Sequence, residues 1–366
     1  MSNRMRNRVI DIYKFIFCCV IAMMHFYKKS GAHMVGGGVG VEFFVMAAGL
    51  FFFKKLEREA AAPEGMDSIA YIKKRFVRFF PYTTAGLLLA FLVEKVWLYT
   101  SDGGVLTLGK IYKWFSRDIW DYLLVSMNGL NAGKSMLNGP LWTVSAMLIC
   151  ELLIWGLYRW NKQLFRTVIA PSAILFALAY WKNIEGTADH HAWIGFTTFG
   201  VVRVFGDYCL SLFIYEAAKH LTALGERLTT LARSLLTVCE FGCLALAIAN
   251  MEFFDSRYFR YVNMLLFCVA LVICFSGQSS SGRLFRHEKV AAYLGALSLS
   301  LYIVHYPILN VFRRLYPEQV MMEQHFLLFM AVVLVCSVLF DLLLRLIIAG
   351  AARLWTSLKT KMVVTE

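Results

Sequence analysis

Lys14 and His25 stand eleven residues apart in the apolar stretch from about Val9 to Tyr27. On an α-helix that spacing is three turns and about 16 Å of axial rise, so both side chains fall on nearly one face, close to opposite ends. An ionisable group inside a bilayer is costly and marks a functional candidate by default. Two readings stay open: the pair links the two sides of the membrane, or Lys14 reaches the inner headgroups while His25 caps the outer interface. Glu42 enters the next apolar stretch within Gly40-Val41-Glu42-Phe43-Phe44, across a short turn from His25 and at a similar depth. A carboxylate beside an imidazole fixes its tautomer and raises its basicity, as a general base requires; an interfacial acid in water is the alternative. His305, in Leu299-Ser-Leu-Tyr-Ile-Val-His-Tyr-Pro, falls at the same outer level, where a structural histidine is the plainer reading. Arg203 and Asp207, four apart, can pair on one helix. His190 and His191 read as exposed external loop residues without assigned chemistry.

The elements that must hold these groups follow from composition. Of 366 residues 59% are hydrophobic and 15% aromatic, outside the soluble range. The apolar runs are about 20 residues long, which selects transmembrane helices over barrel strands. The first run carries Asp11 and Lys14 and lacks a small-residue cleavage site, so it is expected to be a helix of the mature protein and not a signal peptide. The expected fold is all-α: a polytopic transmembrane bundle of about ten helices, at 8–27, 38–56, 77–98, 138–158, 167–183, 194–218, 232–251, 259–276, 290–312 and 325–349. One membrane domain covers residues 1–366, with no internal repeat.

A net charge of +13 can suggest nucleic acid, but most of the 37 basic residues fall in alternate loops. The positive-inside rule accounts for them and puts both termini in the cytoplasm, with Lys54, Lys55, Arg58, Lys73, Lys74, Arg75 and Arg78 clustered in the first cytoplasmic loop. The nine cysteines lie in apolar stretches without metal-ligand spacing and read as packing thiols, so no metal is expected. Outside, Lys110 to Leu123 mixes aromatic and charged residues at helical spacing, as an amphipathic helix on the membrane surface or folded partway in. Gly36-Gly37-Gly38 reads as a flexible turn and not a phosphate loop.

Five segments, in order, resemble the acyltransferase type 3 family of integral membrane O-acyltransferases. Lys14 and His25 fit its Arg/Lys-x10-His signature. Gly40-Val-Glu-Phe-Phe-Val-Met-Ala-Ala-Gly49 is similar to its Gly-Val-Asp-x-Phe-Phe-x-x-Ser-Gly stretch, with Glu42 at the acidic position. Arg75-Phe-Val-Arg78 matches its Arg-x-x-Arg motif, Pro140-Leu-Trp142-Thr its Pro-Leu-Trp-Ser segment, and Ser298-Leu-Ser-Leu-Tyr302-Ile-Val-His305 its Ser-x-Ser-Leu-Tyr-Leu-x-His segment. The family often has a glutamate five residues after that tryptophan; here Met147 stands there and Glu151 follows one turn later.

The resemblance implies transfer of an acyl group, usually acetyl, from cytoplasmic acyl-CoA to a hydroxyl of a surface glycan or glycolipid. Arg75 and Arg78 suit the coenzyme phosphates, and Lys14 receives the donor as it enters the bundle. His25 is then general base or transient acyl carrier, with Glu42 orienting its ring. Trp142, Tyr302 and His305 are candidate neighbours of the reacting group. The expected setting is the bacterial cytoplasmic membrane, among membrane lipid, with a separate envelope partner possible and no nucleic acid. A transporter or flippase for a glycolipid or small solute is the alternative, since buried Lys, His, Glu and Arg also suit a proton relay.

Overall fold

Each long apolar run folds as a helix because a backbone without water must satisfy itself. In the computed structural model, which describes residues 7–28, 30–62, 65–101, 107–128, 136–183, 190–254, 257–285 and 287–364, the main helices are α1 (Arg8–Tyr27), α2 (Gly40–Ala60), α3 (Ser68–Ser101), α4 (Leu108–Tyr122), α5 (Trp142–Trp160), α6 (Ala170–Asn183), α7 (Phe199–Leu224), α8 (Thr230–Phe253), α9 (Arg257–Ser276), α10 (Glu288–Leu315) and α11 (Phe326–Val364). A short helical turn and a π-turn, Phe165–Ile169, lead into α6. Side-chain oxygens of Asn7 and Thr229 cap α1 and α8 by accepting from the amides of Ile10 and Ala232.

Eight helices among the described residues are long and apolar enough to cross a membrane. Two further long helices, α2 and α7, are not among these eight; they are buried along much of their lengths and pack against each other. Glu42 of α2 and Arg203 and Asp207 of α7 point into protein. The approach is close enough that a Cβ at Gly49 of α2 would collide with Ser211 of α7, the small-residue packing expected where helices meet without a hydrophobic drive. Around this pair, α1 packs along α10, while α3 and α11 flank α10 and α5 contacts α3, α2 and α7.

Helix α3 begins nine residues earlier than the apolar run indicated. Asp67 accepts from the Ala70 amide at 2.7 Å, and the Lys and Arg that follow are good helix formers, so Arg75 and Arg78 stand on the helix instead of in a loop before it. The glycine turn is docked, not loose. The Gly36 amide donates to the Met251 carbonyl of α8 at 2.8 Å, and a Cβ at Gly36 would strike the Phe254 carbonyl. The expected amphipathic helix forms as α4, with apolar side chains outward and acids inward: Leu108, Tyr112 and Ile119 are exposed, whereas Asp118 and Asp121 are buried. Lys95 of α3 meets Asp118 at 3.8 Å, and Asp121 accepts from the Leu137 amide at 2.7 Å.

Candidate active site

His25 sits in the last turn of α1, against the fully buried His305 of α10, with ring centroids 5.4 Å apart and planes tilted by 30°. Tyr306 meets the His25 ring edge-on at 5.6 Å. The imidazole therefore faces protein and not lipid, and it stays half-buried while its neighbour is closed off. His305 Nδ1 lies 3.1 Å from the Leu301 carbonyl, which can only accept, so this nitrogen carries the proton and Nε2 is left as a basic lone pair. Nε2 has no hydrogen-bond partner among the described residues. Two imidazoles thus share one level, as their depths in the sequence indicated.

Tyr302, one turn before His305, is tied to the start of α5. Its hydroxyl donates to the Pro140 carbonyl at 2.7 Å and lies 2.9 Å from Thr143 Oγ1, while Asn138 Nδ2 donates to the Ile303 carbonyl at 2.8 Å. These bonds place the Pro-Leu-Trp segment against α10. Trp142 is buried between two charged or polar neighbours: the His190 ring stacks on it at 4.7 Å, and the Arg203 guanidinium carbon lies 5.5 Å from its ring.

Glu42 is fully buried, but its bonded partner is Arg203 of α7 and not His25. Arg203 also reaches the Gly38 carbonyl at 3.3 Å, so it locks the glycine turn to the entry of α2. The ion pair runs between helices instead of along α7 to Asp207. The reason is packing: α2 lies against α7, which seats the fully buried Glu42 carboxylate on the Arg203 guanidinium across the helix interface. Asp207, 3% exposed, keeps Oδ2 without a hydrogen-bond partner beside a small crevice lined by Ala177, Leu178 and Met264.

A second polar layer lies about 13 Å from the first, nine residues along α5 from Trp142. Fully buried Glu151 accepts from Arg75 Nε at 2.8 Å and Nη2 at 2.6 Å, from Tyr208 at 2.6 Å and from Tyr71 at 3.1 Å. The acid that stands one turn past the position marked by the family pattern is therefore the anchor of Arg75. Arg78 is exposed on the same helix. Lys14 is half-buried with Nζ 5.0 Å above the Phe51 ring of α2, so it faces into the bundle on the His25 side of α1.

His190 corrects an expectation, since the sequence read it as an exposed loop residue without chemistry. It lies outside the helices, half-buried, and burial chiefly, with the nearby His191 and Arg203, pushes its pKa down to about 3. A loop histidine gives no periodic signal, and only its stacking on Trp142 reveals it. Its folded pKa is below the unfolded value of roughly 6.5. The unfolded chain therefore takes up a proton first, and the stability due to neutral His190 is present above about pH 6.5 and lost as pH falls toward 3. The apparent melting temperature of the detergent-solubilised protein should fall over this window, and less steeply in His190→Asn than in wild type. Parallel curves would show that His190 contributes nothing to acid sensitivity.

No curated protein and no solved structure shows significant similarity to the chain. A family model described as an acyltransferase domain matches residues 7–342, from the cap of α1 into α11. A match over nearly the whole chain, together with the paired histidines and the anchored Arg75 on the helices that carry the family's motifs, establishes that this multi-pass membrane protein belongs to the acyltransferase type 3 family.

Proposed function

We propose that the protein transfers an acyl group, acetyl in the simplest case, from coenzyme A to a hydroxyl of a glycan or glycolipid, in the cytoplasmic membrane of a bacterium. The observation that most supports this reading is a half-buried imidazole facing a second, buried imidazole on the helix face that also carries Lys14. Arg78, Arg75 and Lys14 receive the donor's phosphates at the basic end, and the thioester extends toward His25. A His25 ring nitrogen takes the proton of the acceptor hydroxyl as its oxygen bonds to the thioester carbonyl carbon. The carbon–sulfur bond then breaks, and the departing thiolate takes that proton from the imidazolium, leaving an ester and free thiol. In the covalent variant the His25 nitrogen itself bonds to the carbonyl carbon as the carbon–sulfur bond breaks; the acceptor oxygen then bonds to that carbon, the carbon–nitrogen bond breaks to free the imidazole, and the hydroxyl proton ends on the thiolate. Glu42 acts at one remove in both, by holding Arg203 behind Trp142.

Purified protein in liposomes should bind labelled acetyl-CoA, hydrolyse it slowly without acceptor, and label an added glycan fraction. Absence of both binding and hydrolysis would transfer support to the transporter reading. Because Arg78 is exposed and a charge-assisted bond to phosphate contributes roughly 1.5–3 kcal/mol, Arg78→Ala should weaken acetyl-CoA binding about tenfold or more. An unchanged Kd returns Arg78 to a purely topological role.

A further inference from the structure

Arg313 ends α10 beside His25, two turns past His305. Its Nη2 donates to the His25 backbone carbonyl at 3.1 Å, and its guanidinium carbon lies 6.0 Å from the ring of Tyr306, the residue that touches the His25 imidazole. The side chain is half-buried, and Nε is shielded without any hydrogen-bond partner among the described residues. No carboxylate among the described residues lies within ion-pair distance of it. The acids toward this end of the bundle have other neighbours: Glu42 holds Arg203, Glu252 accepts from the Met34 amide and lies 2.6 Å from His33 Nδ1, and the charge of Glu323 reaches Tyr27. Lys28, at the end of α1, adds a second cation whose charge, like that of Arg313, reaches the His25 ring.

The negative end of a helix dipole favours a cation in the last turn of α10, and Arg314 answers that equally well by bonding the Val93 carbonyl of α3 at 2.6 Å. Capping a last-turn carbonyl of α1 accounts for the direction of Arg313, but not for a shielded guanidinium that keeps an unfilled N–H. A planar fork with free donors is built for a carboxylate or phosphate. Arg203 cannot take this role, because Glu42 already neutralises it.

We infer that Arg313 binds an anionic group on the acceptor, so that the hydroxyl esterified at His25 belongs to a sugar bearing a carboxylate or phosphate. The inference rests on the acyl-transfer reading and names its substrate class. Acceptors of this kind orient their hydroxyl by the charged group, and neutral sugars of the same shape are discriminated against at the binding step.

The test uses full-length protein in detergent, with wild type, Arg313→Lys and Arg313→Gln, and three probes: methyl glucuronide, its neutral counterpart methyl glucoside, and inorganic phosphate. Binding is read as a shift in melting temperature, and transfer as labelled ester from acetyl-CoA. Wild type should be stabilised by glucuronide or phosphate and not by glucoside, with affinity falling as salt is raised. Stabilisation by phosphate alone points to a phosphorylated acceptor, and by glucuronide to an acidic polysaccharide. Arg313→Gln should lose at least tenfold in affinity for the charged probe, and Arg313→Lys, which keeps charge without the fork, should fall between. In the transfer assay the loss should appear in the KM of the charged acceptor more than in kcat. Equal response of wild type to glucuronide and glucoside, with no response to phosphate, overturns the inference, as does undiminished discrimination in Arg313→Gln. If Arg313-dependent anion binding is seen but no ester forms with any acceptor, the anion site stands and the acyl-transfer reading falls.

Discussion

Alanine in place of His25 should lower acyl transfer by roughly 100- to 10,000-fold, the range that one positioned general base supplies. The ring is half-buried against His305 and Tyr306, so its removal opens a small space at one end of α1 without leaving a charge unpaired, and insertion and folding should survive. Two further measurements divide the roles. Acetyl-CoA affinity should hold within about twofold, because the groups suited to the phosphates lie beyond Lys14, about 16 Å down the helix. Slow hydrolysis of the thioester without acceptor should fall in either case, since a base and a carrier both serve water; acyl label that stays on wild-type protein after quenching and is absent from His25→Ala marks a carrier. His305→Asn is the companion variant. Asparagine can still donate to the Leu301 carbonyl but has no basic nitrogen at the second position, so a large loss of rate there would bring the buried imidazole into the chemistry. Near-normal transfer in His25→Ala would remove the whole catalytic proposal.

The fold was legible because lipid leaves the backbone few choices. The boundaries of α1 could be read to the residue from Arg8–Tyr27, and the long apolar segments all appear as helices. What hydropathy could not see is that α2 and α7 are interior. Their charges look like a flaw in a spanning segment until Glu42 and Arg203 are seen to cancel one another between helices. Sequence offers only neighbours in the chain, so it pairs Arg203 with Asp207 and Glu42 with His25; the true partners are 161 residues apart. The level shared by His25 and His305 was recoverable, because depth along a helix is counted in residues. The flanking groups were not. His190 stacks on Trp142 from a loop, and Arg313 had the same appearance as any basic residue at a helix end until its direction was known.

Glu151 illustrates the same limit and carries the second large expected effect. In sequence it was a displaced acid; in the fold it takes two bonds from Arg75 and one each from Tyr71 and Tyr208 at 0% exposure. Arg75→Ala would strand that carboxylate with two phenols, at a cost of about 3–5 kcal/mol, as for other buried pairs that lose one member. Arg78→Ala, one turn on and exposed, should change stability by less than about 0.5 kcal/mol. Glu151→Gln alone should cost less than Arg75→Ala, since the Arg75 side chain is 20% exposed and its guanidinium can turn to solvent. The combination Arg75→Leu with Glu151→Gln removes both charges, keeps an acceptor for the tyrosines, and should recover at least half of the loss in melting temperature. If it does not, the network is not the coupled unit that the distances indicate. The double variant also separates two meanings of Arg75. Its guanidinium has five N–H donors, of which Glu151 engages two, so the rest are free in principle to meet a coenzyme phosphate. Stability regained without acetyl-CoA affinity would mean that Glu151 presents Arg75 to the donor; affinity regained together with stability would mean that Arg75 only braces α3 against α5 and that Arg78 meets the phosphates without it.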